Sequence, residues 1–190
     1  MNPFSSSRLA FPADFPSMKL LLTGPPGIGK TTVIQTVLSG IEIDAGGFYT
    51  HEIRKGRSRV GFSLKTLDGE EGILAHVDHR KGYRVGRYGV DIGLFETLAL
   101  PALERALREK KLIVIDEMGR MELFSQVFQQ MVMRVLDQDE RHLLGVIHQG
   151  RDPFSASVKR HREVEVISVN RANRDVLPFR IIARLQGAGR

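Results

Sequence analysis

The sequence predicts an α/β fold in three layers: helices on both faces of a mostly parallel central sheet, with an added antiparallel β-hairpin. Three observations predict it. A short apolar run at 18–23 leads through a glycine-rich loop into a helical stretch at 33–38. Four consecutive large aliphatics, Leu112-Ile113-Val114-Ile115, read as a strand buried on both faces, which parallel sheets require. Residues 48–53 and 60–67, rich in aromatic and β-branched side chains, flank a basic, glycine-containing tip at 54–59, the pattern of a hairpin.

The loop after the first run is Gly24-Pro25-Pro26-Gly27-Ile28-Gly29-Lys30-Thr31-Thr32. Strand, glycine loop, lysine, hydroxyl and helix in that order make a phosphate-binding loop. Successive backbone N–H groups curl around the anion, and the helix N-terminus adds its partial positive charge. Lys30 is expected to reach the β- and γ-phosphates, and the Thr31 hydroxyl to ligate Mg²⁺. At average glycine usage the Gly-x4-Gly-Lys-Ser/Thr pattern arises by chance in roughly one chain of this length in a hundred. The strand before it and the helix after it lower that further, so the chain is expected to bind a nucleoside triphosphate in a three-layer P-loop fold.

Asp116 and Glu117 close the aliphatic run, at the strand end where open α/β sheets bind ligands. Asp116 is expected to hold the Mg²⁺ shell, and Glu117 to orient or deprotonate the attacking water. The competing explanation, an N-capping carboxylate for a helix at 121–136, is weaker given the phosphate loop upstream. Asp116-Glu117-Met118-Gly119 also fits the Asp-x-x-Gly pattern of switch GTPases. The guanine-reading Asn-Lys-x-Asp is missing, and the nearest stretch is Asn170-Arg171-Ala172-Asn173.

The other elements follow in order. Asp68-Gly69 marks a turn, 72–75 a short strand, and 83–90 an irregular or weakly extended segment. Leu94, Phe95, Leu98, Leu103 and Leu107 place an apolar stripe on a helix over 92–108, with a kink expected at Pro101. Strands are expected at 143–147 and 164–169, separated by a loop and a short basic helix over 151–162. Arg160 and Arg162 are candidates for a lid that closes over the triphosphate. Asn170 is expected to act as a helix N-cap and Pro178 to begin another helical run to 185, and Asn170, Asn173 and Arg174 are candidates for the base side.

The chain has 190 residues, 26% charged and 42% hydrophobic, enough for one domain over 18–190 preceded by a flexible leader at 1–17. It contains no cysteine, which excludes disulfides, zinc-thiolate sites and cysteine catalysis. No apolar stretch approaches the ~20 residues of a membrane span, and a cytoplasmic monomer is expected. The net charge of +6 suits polyanions. The basic clusters at 54–59, 108–111 and 159–162 are not interleaved with aromatics as a base-stacking platform would be, so nucleic acid is not the favoured partner. His76-Val77-Asp78-His79 lacks a third ligand and reads as a loop histidine pair. The methionines at 118, 121, 131 and 133 read as core.

Taken together, these motifs resemble the THEP-type nucleoside-triphosphatase family, whose animal members are called cancer-related nucleoside triphosphatases. The resemblance runs from about residue 18 to 185 and rests on the phosphate loop and on Gly47-Phe48-Tyr49-Thr50 with Glu52 and Arg54. Arg59-Val60-Gly61-Phe62, Tyr83-Arg84-Val85-Gly86 and Ile115-Asp116-Glu117-Met118-Gly119-Arg120-Met121-Glu122-Leu123-Phe124 complete it. It implies slow, Mg²⁺-dependent hydrolysis of ATP, GTP and other nucleoside triphosphates to the diphosphate and phosphate. It also implies that Gly119, Arg120 and Glu122 complete the site. Arg120 stands where the family more often has lysine, which keeps the charge and changes the geometry. Two other functions use the same loop: a small-molecule or nucleotide kinase, and a nucleic-acid-binding protein with incidental ATPase activity.

Overall fold

The computed structural model describes residues 17–187. Its elements in chain order are β1 (Lys19–Thr23), α1 (Lys30–Gly40), β2 (Ala45–Lys55), β3 (Ser58–Thr66), β4 (Glu71–His76), β5 (Tyr83–Val85) and β6 (Tyr88–Val90). They continue with α2 (Ile92–Glu109), β7 (Leu112–Met118), α3 (Gln126–Leu136), β8 (His142–Ile147), α4 (Pro153–Lys159), β9 (Val164–Ser168) and α5 (Leu177–Leu185). The expected leader at 1–17 lies outside the described residues except for Ser17.

All strands join one nine-stranded sheet in the order β5-β6-β4-β3-β2-β7-β8-β1-β9. The neighbours β2-β7-β8-β1-β9 pair in parallel, and the remaining pairs are antiparallel. The antiparallel part is therefore larger than the single hairpin expected. It is also continuous with the parallel core, because β2 pairs with β3 on one side and with β7 on the other.

Alternation along the central strands explains the layers. Leu20, Leu22, Leu112, Val114, Leu144 and Val146 face α1 and α5 in one buried cluster. Leu21, Ile113, Ile115, Leu143 and Ile147 face the other side, packed with Phe95 of α2 and Phe128 of α3. Phe48 of β2 sits between those two rings, 5.7 Å from Phe95 and 6.0 Å from Phe128, centroid to centroid. Met118 and Met131 are buried in this cluster. Gly47 adopts φ +115°, and a Cβ there would lie 2.1 Å from the Val114 carbonyl oxygen, so only glycine lets β2 lie beside β7.

Three local expectations are corrected. Residues 83–90 form the hairpin β5–β6, turning at Gly86 with φ +58°. The helix expected from 121 begins later: a 3-10 turn spans Glu122–Phe124, and Ser125 caps α3 by accepting from the Phe128 N–H at 3.0 Å. Asn170 caps a single helical turn and not a helix, its carbonyl accepting from the Arg174 N–H at 3.0 Å. Its Oδ1 accepts from the N–H groups of Ala172 and Asn173 in a turn, and α5 begins at Leu177. Helix α2 runs through Pro101 as one element.

Candidate active site

The phosphate loop connects β1 to α1 at the C-terminal edge of the parallel strands. Gly29 takes φ +108°, a left-handed conformation natural to glycine, and precedes α1 without any capping side chain. The first amides of a helix have no intrahelical acceptor. No side chain occupies those of α1 and its first turn carries no acidic residue, the arrangement that suits an anion. The loop is braced by Ile28 N–H donating to the Pro25 carbonyl at 3.3 Å. Lys30 folds over it, its Nζ donating to the carbonyls of Gly24 at 3.0 Å and Pro25 at 3.3 Å.

Asp116 and Glu117 lie near the end of β7, at the same edge of the sheet. Asp116 is 1% exposed and interacts with the Thr31 hydroxyl. Burial pushes its carboxyl up to about 7; the Thr31 hydrogen bond and the Lys30 charge oppose that shift, and the Glu117 charge adds to it. Its Oδ2 is buried without a hydrogen-bond partner, an arrangement that suits a hard cation. Among the described residues, no three His, Asp or Glu side chains are grouped to hold a metal by themselves. A divalent ion here would rest on Thr31, Asp116 and the oxygens of a bound phosphate. Neither His76 nor His79 lines this cavity, and the His76 Nδ1 lies 3.4 Å from the Asp78 carboxylate.

Behind the pair sits Glu122, 5% exposed, whose Oε2 accepts from the Gly119 N–H at 3.0 Å. Burial pushes its carboxyl up to about 8, with the charges of Glu117 and Asp116 contributing. The Gly119–Glu122 hydrogen bond holds the turn after β7 so that Glu117, Gly119 and Arg120 all line one cavity of about 690 Å³. Gly24, Pro26, Gly27, Gly29, Lys30, Thr31 and Thr32 line its other side; Pro25 and Ile28 belong to the loop but not to the lining.

The extended ends of β2 and β3 form a wall that sequence reasoning did not assign. β2 is paired with β7 as far as Tyr49, which lies opposite Asp116, and then continues beyond β7. Thr50, His51, Glu52 and Arg59 therefore face the cavity. Glu52 and Arg59 are ion-paired at 2.7 Å, and Arg59 stacks over Phe62 at 5.0 Å. His148 and Gln149 were also missed. They follow β8, the strand inserted between β7 and β1, which is the strand-end position that drew attention to Asp116.

The lid assignment of Arg160 and Arg162 is corrected. Arg162 lies two residues before β9, and β9 begins with Val164 paired to Lys19, at the end of β1 opposite the phosphate loop. Arg160 ends α4, its N–H bonded to Ser157. Of that basic segment only Lys159 reaches the site, donating to the carbonyls of His148 at 2.7 Å and Gly150 at 2.9 Å. Asn170, Asn173 and Arg174 do lie at the phosphate-loop edge, where Gly24 packs against Val169, but outside the cavity lining. Asn173 donates to the Ser168 carbonyl at 2.9 Å, and Arg174 sits 3.5 Å from Asp175.

A family model described as NTPase matches residues 19–182. The chain belongs to the NTPase family. Among curated members, the nucleoside-triphosphatase THEP1 of Thermotoga maritima is 44% identical over 169 residues, covering 89% of this chain and 96% of the relative. The cancer-related nucleoside-triphosphatase of Homo sapiens is 38% identical over 184 residues, covering 89% and 97%. The crystal structure of THEP1 from Aquifex aeolicus superposes with a TM-score of 0.82 at 36% identity, covering 89% of this chain and 99% of the neighbour. Among the described residues, no helix of this NTPase-family chain is long and apolar enough to cross a membrane.

Proposed function

We propose that this chain hydrolyses ATP, GTP and other nucleoside triphosphates to the diphosphate and phosphate, slowly and with little preference for the base. The observation that carries the reading is one cavity lined on one side by the phosphate loop and on the other by Glu117, with Asp116 buried against Thr31. Relatives named nucleoside-triphosphatase support it. The reading places the enzyme in the cytoplasm, where free triphosphates are.

The amides of the loop and of the first turn of α1 bind the phosphate oxygens, and the Lys30 ammonium neutralises charge on the β- and γ-phosphates. Thr31 and Asp116 would hold Mg²⁺, which supplies Lewis-acid neutralisation of the phosphate oxygens when bound. A Glu117 carboxylate oxygen orients the attacking water and takes its proton, and the braced turn at Gly119 keeps that carboxylate in the cavity. Arg120, in the same lining, adds positive charge toward the leaving phosphate. Asn170, Asn173 and Arg174 provide polar groups on the base side, and their local hydrogen bonding fits a site that does not discriminate between bases.

The test is mass analysis of the products after incubation with Mg²⁺ and a mixed metabolite pool. Diphosphate and inorganic phosphate in equal amounts are expected from several triphosphates. A phosphorylated metabolite formed in proportion to the diphosphate would overturn hydrolysis in favour of phosphoryl transfer to an acceptor.

A further inference from the structure

A second cavity of about 690 Å³ adjoins the first, sharing with it Val85, Arg120, His148 and Gly150. Its walls come from the β5–β6 hairpin, the turn after β7, and the loop between β8 and α4. The hairpin is pinned over the turn by Tyr83, whose ring stacks on Phe124 at 4.5 Å and 24°. Phe124, Phe154 and Leu123 supply an apolar surface, and Arg84, Arg120 and Arg151 supply charge. Arg84 donates to the Arg87 carbonyl at 3.1 Å. Arg120 and Arg151 make no hydrogen bond or ion pair with any described residue.

The single carboxylate in the lining does not offset these cations. Asp152 is already engaged, accepting from the Ser155 N–H at 2.9 Å and contacting His148 Nε2 at 2.9 Å. Ser155, buried beneath, holds the same His148 nitrogen at 2.8 Å. The cavity thus combines aromatic walls with two guanidinium groups, those of Arg120 and Arg151, that have no partner among the described residues. Guanidinium pairs with two oxygens of a carboxylate or a phosphate in bidentate fashion, and aromatic walls take flat apolar bodies.

We propose that this second cavity binds a small organic anion, a phosphate or carboxylate carried on a flat apolar body, alongside the nucleotide. The proposal rests on the first cavity being the triphosphate site. Two ligands can then be present together, the anion lying beyond the γ-phosphate and separated from it by Arg120 and His148.

The test is calorimetric titration of the full chain with phenyl phosphate and, in a parallel arm, benzoate, with a non-hydrolysable ATP analogue and Mg²⁺ held saturating. Phenyl phosphate is expected to bind with a Kd of order 1 mM, as its few heavy atoms allow, and phenol or inorganic phosphate alone at least ~10-fold more weakly. Tighter binding of phenyl phosphate than of benzoate assigns the head group as phosphate, and the reverse order as carboxylate. Arg151→Ala, at an exposed position, is expected to weaken binding ~10-fold and Arg151→Lys to restore part of it, with the affinity for the ATP analogue unchanged in both. No saturation by either probe, displacement of the probe by the analogue, or equal affinity in Arg151→Ala would overturn the proposal. If the analogue itself fails to bind, the reading of the first cavity fails, and titration of the probes into the nucleotide-free chain and its Arg151→Ala variant decides the second cavity separately.

Discussion

The Asp116 carboxyl is buried against the hydroxyl of Thr31, and its Oδ2 has no hydrogen-bond partner. A buried acceptor left unsatisfied costs about 1–3 kcal/mol, so this position is held at the expense of stability. Burial also raises the Asp116 pKa to about 7 from the ordinary 3.8. The folded chain therefore binds the proton more tightly than the unfolded one, and stability falls as pH rises from about 4 through 7. At pH 8 without divalent cations, Asp116→Asn is expected to stabilise the fold by about 1–3 kcal/mol. The same variant should lose the extra stabilisation that Mg²⁺ with ATP gives the parent. Paired thermal melts with EDTA and with Mg²⁺-ATP check both halves.

Glu117 lines the cavity but is not the residue buried against Thr31, which separates its role from that of Asp116. Glu117→Gln removes the proton acceptor while keeping size and hydrogen bonding. Turnover is expected to fall by roughly 10²–10⁴-fold with nucleotide affinity retained. Steady-state phosphate release and equilibrium binding of a fluorescent nucleotide distinguish this from a metal-ligand role, in which both would fall together.

Away from the site, His142 works against the raised carboxyls of Asp116 and Glu122 over the same acid range. It is buried at the start of β8, its Nδ1 accepting from the Met18 N–H at 3.1 Å. Burial, with the charges of Lys19 and Lys111, pushes its pKa down to about 4 from 6.5. The unfolded chain takes up the proton first, so the stabilisation is complete above pH 6.5 and is lost as pH falls toward 4. At about 1.4 kcal/mol per unit, the loss amounts to at most about 3 kcal/mol. The difference in urea stability between the parent and His142→Asn, which does not titrate, isolates it: the parent should lose ground relative to the variant as pH falls from 7 to 4.

Phe48 joins the two halves of the sheet through packing: it lies on β2 opposite Ile115 and between the rings of Phe95 and Phe128. Phe48→Ala leaves a cavity there and is expected to lower stability by about 3–5 kcal/mol, read as a shift in the urea midpoint.

The parts legible in the sequence are those where residue type and spacing carry the physics directly. The loop at 24–32 has its glycines, lysine and hydroxyl at fixed offsets, and the run ending at Asp116 has no polar residue to expose. Strands β5 and β6 were not legible, because three-residue strands rich in Arg and Gly show no alternation. The start of α3 was obscured because Met121, Leu123 and Phe124 continue the apolar spacing of a helix through what is a 3-10 turn. Arg160 and Arg162 illustrate a different limit, since a charge cluster does not reveal its end of the sheet. Had β9 been recognised as parallel to β1, the residues before it would have fallen opposite the loop. His148 carried a signal of the same kind as Asp116, a polar residue directly after a buried strand, and went unread because a lone histidine does not stand out as an acidic pair does.

The assignment of the phosphate loop as the catalytic anion site is tested most directly by phosphate release from Mg²⁺-ATP by Lys30→Ala, with circular dichroism to establish that the variant is folded. Removing the ammonium that lies over the loop should lower the rate by roughly 10²–10³-fold. A folded Lys30→Ala variant that releases phosphate at the parent rate would contradict it.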